Sequence, residues 1–455
     1  MRHNPDRDLT QPSHFADLLS QVSDDRASLA HLLRRTGFGP TAAEVDAATS
    51  QGFSATVERL VDFTGPDPAD AEPMPSFASY TPLGARGLTA DQRHALQLQH
   101  QADAARLISW WVARMAATAH PLREKLTWFW HGHFATSIQK VQRADFMATQ
   151  NEVFRAQGAA NFEALTQAVA KDPAMLIWLD AATNLKAHPN ENFARELMEL
   201  FTLGIGNYTE QDVKEAARAF TGWRLNRASA SFTLSRQQHD DGVKTVLGQT
   251  GPWTGEDVIH ILTNQPASAR WIVARLWSHF AFPVDPTDPI VSELVPPFAQ
   301  THDIKQLMQA ILLHPAFLSD TARAGLVKQP IEWVVGSARV LGLPAGDQRF
   351  AAGLRALGQL PFAPPNVGGW PQNAYWLTTA SSLARLRLAA GMVNAAGAPV
   401  NLLSATAPAA RTDAVGQLLS ISPWSATTAS ALAEVASNPK ALLTLALVSP
   451  EYTLA

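Results

Sequence analysis

Apolar side chains recur about every three to four positions over long stretches of this chain, the spacing that buries one face of a helix. The clearest stretch runs from Thr89 to about Ala117. Its repeated face consists of Leu96, His100, Ala104, Leu107, Trp111 and Met115. Pro121 then opens a second predicted helix, PLREKLTWFW. Comparable patterns continue along the chain, so we expect a mainly α fold: a large multi-helix, bundle-like domain with long Pro/Gly-rich loops.

Strand-like alternation is confined to one short region, Ser231–Leu247. There Phe232-Thr233-Leu234 and Lys244–Leu247 flank a turn signal, Asp241-Gly242. We expect these two segments to pair as one small β-hairpin.

Proline, glycine and small residues indicate how the chain is divided. We expect a polar N-terminal segment at 1–26 and a mostly helical core at 27–396, with a sub-boundary possible near 283–299. The C-terminal part, 397–455, would begin with a linker and continue as small-residue helices. Loop 65–87 is long enough to be an ordered excursion or a lid.

Composition narrows the functional classes. The chain of 455 residues has no cysteine, which excludes disulfides, thiolate catalysis and zinc–thiolate sites. Its net charge is −4, without the basic surface of a nucleic-acid-binding protein. Phosphate-binding glycine motifs are absent as well, so we expect no nucleotide cofactor and no nucleic-acid partner. Neither a leader nor a long apolar run is present, which favours a cytoplasmic protein without a membrane partner.

Within residues 190–204, three glutamates and one arginine fall in nine positions of a predicted helix. Glu191, Arg195 and Glu199 lie four residues apart and form one stripe of alternating sign, typical of a solvated salt-bridge ladder. Apolar residues cover much of the remaining surface, so a buried helix is the second interpretation. Its carboxylates would then need cations, a metal ion or hydrogen-bond donors. Glu196 stands outside the ladder and is our candidate for a catalytic or metal-binding carboxylate.

Two histidines, His131 and His133, end the second predicted helix on either side of Gly132. In a helix they would point about 200° apart, whereas extended backbone would place both on one side, and the glycine permits that break. Such a pair is a common metal-ligand spacing. Because aromatic residues flank both histidines, they can equally be packed core groups.

A third segment, residues 239–248, combines His239 with Lys244 around the predicted turn. The simpler interpretation is a charged hairpin turn. The functional one makes His239 a third imidazole ligand or a base, and Lys244 a contact for an anion.

Together these segments resemble a bacterial family catalogued as domain of unknown function 1800. The matching stretches, in collinear order, include HLLRRTGFGPT at 31–41, PLREKLTWFWHGHFATS at 121–137, the block from 171 to 223, HDDGVKTVLG at 239–248, KQPIEWVVGSARVLG at 328–342 and PPNVGGWPQNAYWLT at 364–378. The resemblance implies no established activity. It does imply a partner, because family members are often encoded beside a sulfatase-like protein that is exported. Many members carry export leaders and this chain shows none, so a periplasmic location would require co-export with such a partner.

Our first functional hypothesis is a metal-dependent enzyme that carries out oxidation, hydroxylation or metal-assisted hydrolysis. The candidate ligands of its iron, copper, manganese or zinc ion are His131, His133, His239, Glu191, Glu196 and Glu199. Glu196 would also be catalytic, and Arg195 and Lys244 would orient a small anionic substrate.

Two alternatives stay open. The protein can be a non-catalytic binding or maturation partner of the sulfatase-like neighbour, in which case the acidic helix is structural. It can also be a metal-free helical enzyme with Glu196 as general base, which requires burial to raise the pKa of that carboxyl.

Overall fold

The computed structural model describes residues 23–77, 87–227 and 229–454. The predicted helix after Thr89 is present as α4, Ala90–Ala117, and begins at a capping box in which Thr89 and Gln92 bond each other's backbone. Three helices precede it: α1 (Arg26–Thr36), α2 (Ala42–Gln51) and α3 (Phe53–Val61). Of the predicted loop or lid at 65–87, residues 78–86 lie outside the described part.

The predicted second helix is α5, Pro121–His133, with proline at its first position. The next helices are α6 (Ile138–Val141), α7 (Ala144–Gln157), α8 (Phe162–Ala170), α9 (Pro173–Trp178) and α10 (Asn192–Glu196). A π-helical turn, Leu197–Thr202, continues α10. A capping box between Thr209 and Asp212 opens α11, Glu210–Ala219.

The remaining helices lie between residues 255 and 453. They are α12 (Gly255–Thr263), α13 (Pro266–Phe280), α14 (Pro289–Thr301), α15 (Ile304–Leu313), α16 (Asp320–Ala324), α17 (Pro330–Leu341), α18 (Gln348–Ala356), α19 (Thr379–Ala395), α20 (Gly397–Ala405), α21 (Arg411–Leu419), α22 (Ala426–Glu434), α23 (Pro439–Leu447) and α24 (Pro450–Thr453). The mainly α prediction is therefore confirmed. Residues 397–405, at the start of the predicted C-terminal linker, form α20.

The predicted hairpin is also wrong in its pairing. The strands are β1 (Trp223–Asn226), β2 (Ser231–Leu234), β3 (Lys244–Val246) and β4 (Gln249–Gly251). β2 pairs with β1, and β3 pairs with β4, each pair antiparallel. The turn of the second pair is Leu247-Gly248, both with positive φ, so Asp241-Gly242 is not a hairpin turn.

Two clusters of buried apolar side chains form the core. The first joins α1–α3 to the helices α8–α15, and the second joins α4 and α7 to α17–α23. Helix α5 contributes to both, since Phe129 and Trp130 belong to the first cluster and Trp128 to the second. The C-terminal helices thus share a core with the middle of the chain.

No single helix among the described residues is both long and apolar enough to cross a membrane. Helices α19 and α20 are long and apolar enough only when they are taken together, and they are bent by 80° relative to each other.

Candidate functional site

His131 lies in the last turn of α5 and is 1% exposed. Its Nε2 accepts a hydrogen bond of 3.0 Å from the backbone N–H of Phe362. Four rings surround it, those of Trp111, Trp128, Phe362 and Trp370. Burial lowers its pKa to about 3, so the imidazole is neutral near pH 7. Here the histidine fastens a loop to the helix.

His133 is the last residue of the same helix and is also buried. Its Nε2 donates to the carbonyl of Phe201, at 2.9 Å, and its ring stacks on Phe129. Burial, aided by the nearby Arg275, lowers its pKa to about 3. The extended backbone that a shared metal site would require around Gly132 is not present, because α5 continues through His133. The two imidazoles therefore serve different parts of the core.

The predicted salt-bridge ladder is present only in its first half. Arg195 contacts Glu191 at 3.0 Å and, from the following helix, Glu210 at 2.7 Å. Glu199 instead accepts a hydrogen bond of 2.6 Å from the hydroxyl of Tyr208. The reason is the π-helical turn that starts at Leu197, whose hydrogen bonds span five residues and break the four-residue register.

Glu196 is half-buried and makes no hydrogen bond or ion pair with any described residue. Burial raises the pKa of its carboxyl, and the neighbouring Glu199 raises it further, while Arg195 opposes the shift. The pKa direction agrees with that required of a general base, and the position outside the ladder agrees with the prediction.

His239 and Lys244 both bind backbone. His239 is buried, and its Nδ1 donates to the carbonyl of Thr221 at 2.9 Å. Lys244 is 1% exposed and donates to the carbonyls of Asp240 (2.5 Å) and Gly242 (2.9 Å). The ammonium group therefore closes the loop at residues 240–242. Two of its hydrogen-bond donors are used in doing so, which leaves at most one for an anion.

The structure does not bring the predicted ligands together. Across residues 23–77, 87–227 and 229–454, no three histidine, aspartate or glutamate side chains are grouped so that they could hold a metal ion. The geometry thus gives no support to a combined His131/His133/Glu196 centre. Metal binding by this protein stays a prediction from the sequence.

A different group of charges lines a cavity between α1, α5, α13 and α17. Its charged and ring-bearing lining consists of Arg34, Arg35, Lys125, His279 and Glu332, and its remaining lining includes Ser278, Gln329, Gln372 and Asn373. Its volume is about 20 Å³, slightly more than a single water molecule requires. We call this space the cation cavity.

Positive charge exceeds negative charge in the cation cavity. Lys125 is 2% exposed and forms a close ion pair with Glu332, the only carboxylate in the lining. Arg35 is equally buried, yet its Nε and Nη1 have no hydrogen-bond partner among the described residues. The Nε2 of His279 is buried without a partner as well. The two guanidinium nitrogen atoms of Arg35 leave donor capacity inside the protein unused.

Burial dominates the electrostatics of this cavity. It lowers the pKa of Arg35 to about 9 and that of Arg34 to about 10. It also lowers the pKa of Lys125, although Glu332 opposes that shift, and brings His279 to about 3. The largest cause of each of these shifts is burial, which disfavours the charged form.

Sequence reasoning missed this cavity, although a signal was available. Arg34 and Arg35 lie within an apolar helical stretch, HLLRRTGFG, and Lys125 stands inside the equally apolar PLREKLTWFW. Charged residues at positions that helical periodicity assigns to the core indicate a buried charge that needs a partner. Both stretches are among those that carry the family resemblance.

Comparison with known proteins confirms that resemblance. The model of a family described as "Protein of unknown function (DUF1800)" matches residues 31–454, nearly the whole chain, and the chain therefore belongs to this family. No curated protein and no solved structure matches it.

Proposed function

We propose that this member of the DUF1800 family binds a small anionic ligand in the cation cavity. The observation that carries the proposal is Arg35, a buried guanidinium with two nitrogen atoms that no described residue engages. A buried charge without a counter-charge costs several kcal/mol, and a bound anion would remove that cost. The Lys125–Glu332 pair is neutral, so Arg34 and Arg35 supply the positive charge that attracts the ligand.

The proposal extends the small anionic substrate predicted from the sequence and moves it to another place. Arg195 and Lys244, the predicted anion contacts, are occupied by carboxylates and carbonyls, whereas Arg35 keeps free donors. Binding is the part of the function that this geometry supports. The metal-dependent reaction and the sulfatase-like partner stay predictions.

Thermal unfolding of the purified full chain tests the proposal. Chloride, nitrate, bicarbonate, sulfate and phosphate are added separately at equal ionic strength. We expect at least one of them to raise Tm with saturation, by a stabilisation of about 2.7 kcal/mol at roughly one hundred times its Kd. Arg35→Gln should weaken the apparent affinity about tenfold or more, because it removes a charged donor.

Arg195→Gln is the matched control, since it removes a partly buried arginine outside the cavity and should respond to anions like the wild type. Should Arg35→Gln fail to fold, the partly exposed Arg34 provides the second variant, Arg34→Gln. The proposal is overturned if every anion acts without saturation, or if the cavity variants respond as the control does.

Glu196 is a second candidate, favoured by its raised pKa and its lack of a hydrogen-bond partner among the described residues. We propose it as the acid–base group of any reaction that this protein carries out at the π-helical turn. Loss of activity in Glu196→Gln but not in Glu199→Gln, once a substrate is known, would support that role. Equal activity of Glu196→Gln and the wild type would contradict it.

A further inference from the structure

Glu332 is held rigidly at the cation cavity. It occupies the third position of α17, where its Oε2 accepts a hydrogen bond of 2.7 Å from the backbone N–H of Gln329. Its Oε1 accepts from the ammonium of Lys125. Burial favours the protonated acid, but the ion pair with Lys125 prevails and keeps the pKa of Glu332 below its ordinary value. The cavity therefore contains a fixed negative group among its cations.

That carboxylate has unused acceptor capacity. Each of its oxygens has two lone pairs, and each accepts one hydrogen bond from a described residue. In a space of about 20 Å³, an anion that reaches Arg35 also comes close to Glu332. A fully ionised anion would then face another negative charge at short range, which is strongly unfavourable in a buried site.

A proton on the ligand changes this balance. An anion with its own hydroxyl group can donate to Glu332 while its other oxygens accept from Arg35, so that both groups are satisfied by one ligand. An anion without a proton is repelled by Glu332 and donates no hydrogen bond to it. Sites built to bond a ligand hydroxyl discriminate strongly against analogues that lack it.

We infer, on the basis of the proposed anion binding, that the cation cavity selects a compact oxyanion that carries a hydroxyl group, such as hydrogen phosphate or bicarbonate, and rejects fully ionised oxyanions through Glu332. The remaining polar lining, Ser278, Gln329 and Asn373, is neutral and adds no second negative charge beside the cations. Gln372 is exposed and also lines the cavity.

Two pairs of anions separate the effect of the proton from those of shape and charge. Hydrogen phosphate and sulfate are both tetrahedral dianions in mildly alkaline buffer, and bicarbonate and nitrate are both planar monoanions. Calorimetric titration of the full chain should give a Kd at least about tenfold lower for the protonated member of each pair.

Glu332→Gln should collapse that preference. The amide removes the negative charge and supplies an N–H donor, so sulfate and nitrate should gain affinity, while hydrogen phosphate and bicarbonate keep only a weaker, neutral acceptor. The matched control is Glu44→Gln, because Glu44 also stands third in a capping-box helix and also pairs with a cation, Arg339, away from the cavity. The control should keep the wild-type ratio.

The outcomes distinguish the two proposals. If sulfate binds as tightly as hydrogen phosphate in the wild type, the selectivity inference is overturned and anion binding stands. If no anion binds, anion binding itself falls. If Glu332→Gln keeps the wild-type ratio, Glu332 is not the selective group. Should that variant not fold, the two wild-type ratios still decide whether the cavity prefers hydroxyl-bearing anions.

Discussion

Glu124 and Lys125 are neighbours in α5 and both are buried, but the balance of charge around the two side chains differs. Glu124 is fully buried and accepts from Arg114 (2.9 Å), from Arg155 (2.5 Å) and from the indole of Trp111 (3.0 Å). Lys125 points into the cation cavity, where one carboxylate faces several cations.

The cluster around Glu124 is close to electrically balanced. Arg114 also contacts Asp67 and Asp70, and Asp67 contacts Arg123. Every cation there has at least one carboxylate within 4 Å, as expected of buried charges that only stabilise a fold. In the cation cavity Arg35 has no such carboxylate among the described residues. The contrast shows that a buried guanidinium without a carboxylate partner, rather than the density of charge, points to a ligand.

The largest expected effect comes from breaking the balanced cluster. Glu124→Gln leaves Arg114 and Arg155 buried with a neutral neighbour, so the free energy of unfolding should fall by about 3–5 kcal/mol. Urea denaturation measures the loss relative to the wild type, and phosphate, which stabilises both proteins through the cation cavity, should leave that difference unchanged. A difference below about 1 kcal/mol, or one that phosphate narrows, would erase the distinction between the two clusters.

A smaller effect is expected at Asp172, a buried carboxyl without an arginine or lysine partner among the described residues. Burial raises its pKa from the ordinary 3.8 to about 7, while hydrogen bonds from Ala174, Met175 and Gln150 oppose the shift. Between pH 3.8 and about 7 the folded protein keeps a proton that the unfolded chain releases, so stability falls as pH rises. Asp172 should contribute a fall on the order of 2 kcal/mol across that range.

Asp172→Asn removes this titration, so its unfolding free energy should depend less on pH, and above pH 7 it should exceed that of the wild type. Denaturation at a series of pH values gives the comparison. Asp347→Asn, which alters an exposed helix cap, is the control. Parallel pH profiles for Asp172→Asn and the wild type would show that the carboxyl is not protonated in the folded state.

The smallest effect concerns the acidic helix. Glu196→Gln removes repulsion from Glu199, so at low salt the protein should gain about 0.2–0.5 kcal/mol, and the gain should vanish at high salt. Glu199→Gln weakens the hydrogen bond from Tyr208 and should lose stability instead. Loss of stability in Glu196→Gln would mean that a cation stabilises this carboxylate.

The helices could be predicted because their evidence is local. Apolar period and caps at Thr89, Pro121 and Thr209 define α4, α5 and α11 within a residue or two. The strand pairing failed because the turn between β3 and β4 uses Leu247 with positive φ, a conformation that leucine rarely adopts. Gly248 is a turn signal there, but no Asn or Asp precedes it to mark a two-residue hairpin turn.

The candidate site was less predictable because partners are not local. The spacing in the sequence shows that Glu191 and Arg195 can pair. It does not show that Tyr208 donates a hydrogen bond to Glu199, or that His133 donates one to the carbonyl of Phe201. In the same way, Lys125 and Glu332 are separated by 207 positions and meet only in the folded chain. Helical period shows which charges are buried, and only the tertiary structure shows which of them are unbalanced.

The most direct measurement is an anomalous difference map from crystals soaked in arsenate, which shares the shape and protonation of hydrogen phosphate. The account predicts an arsenic peak in the cation cavity, with oxygen atoms roughly 3 Å from Arg35 Nε or Nη1 and from a Glu332 oxygen. The account would be contradicted if the cavity held only ordered water, whether or not arsenic bound at the protein surface.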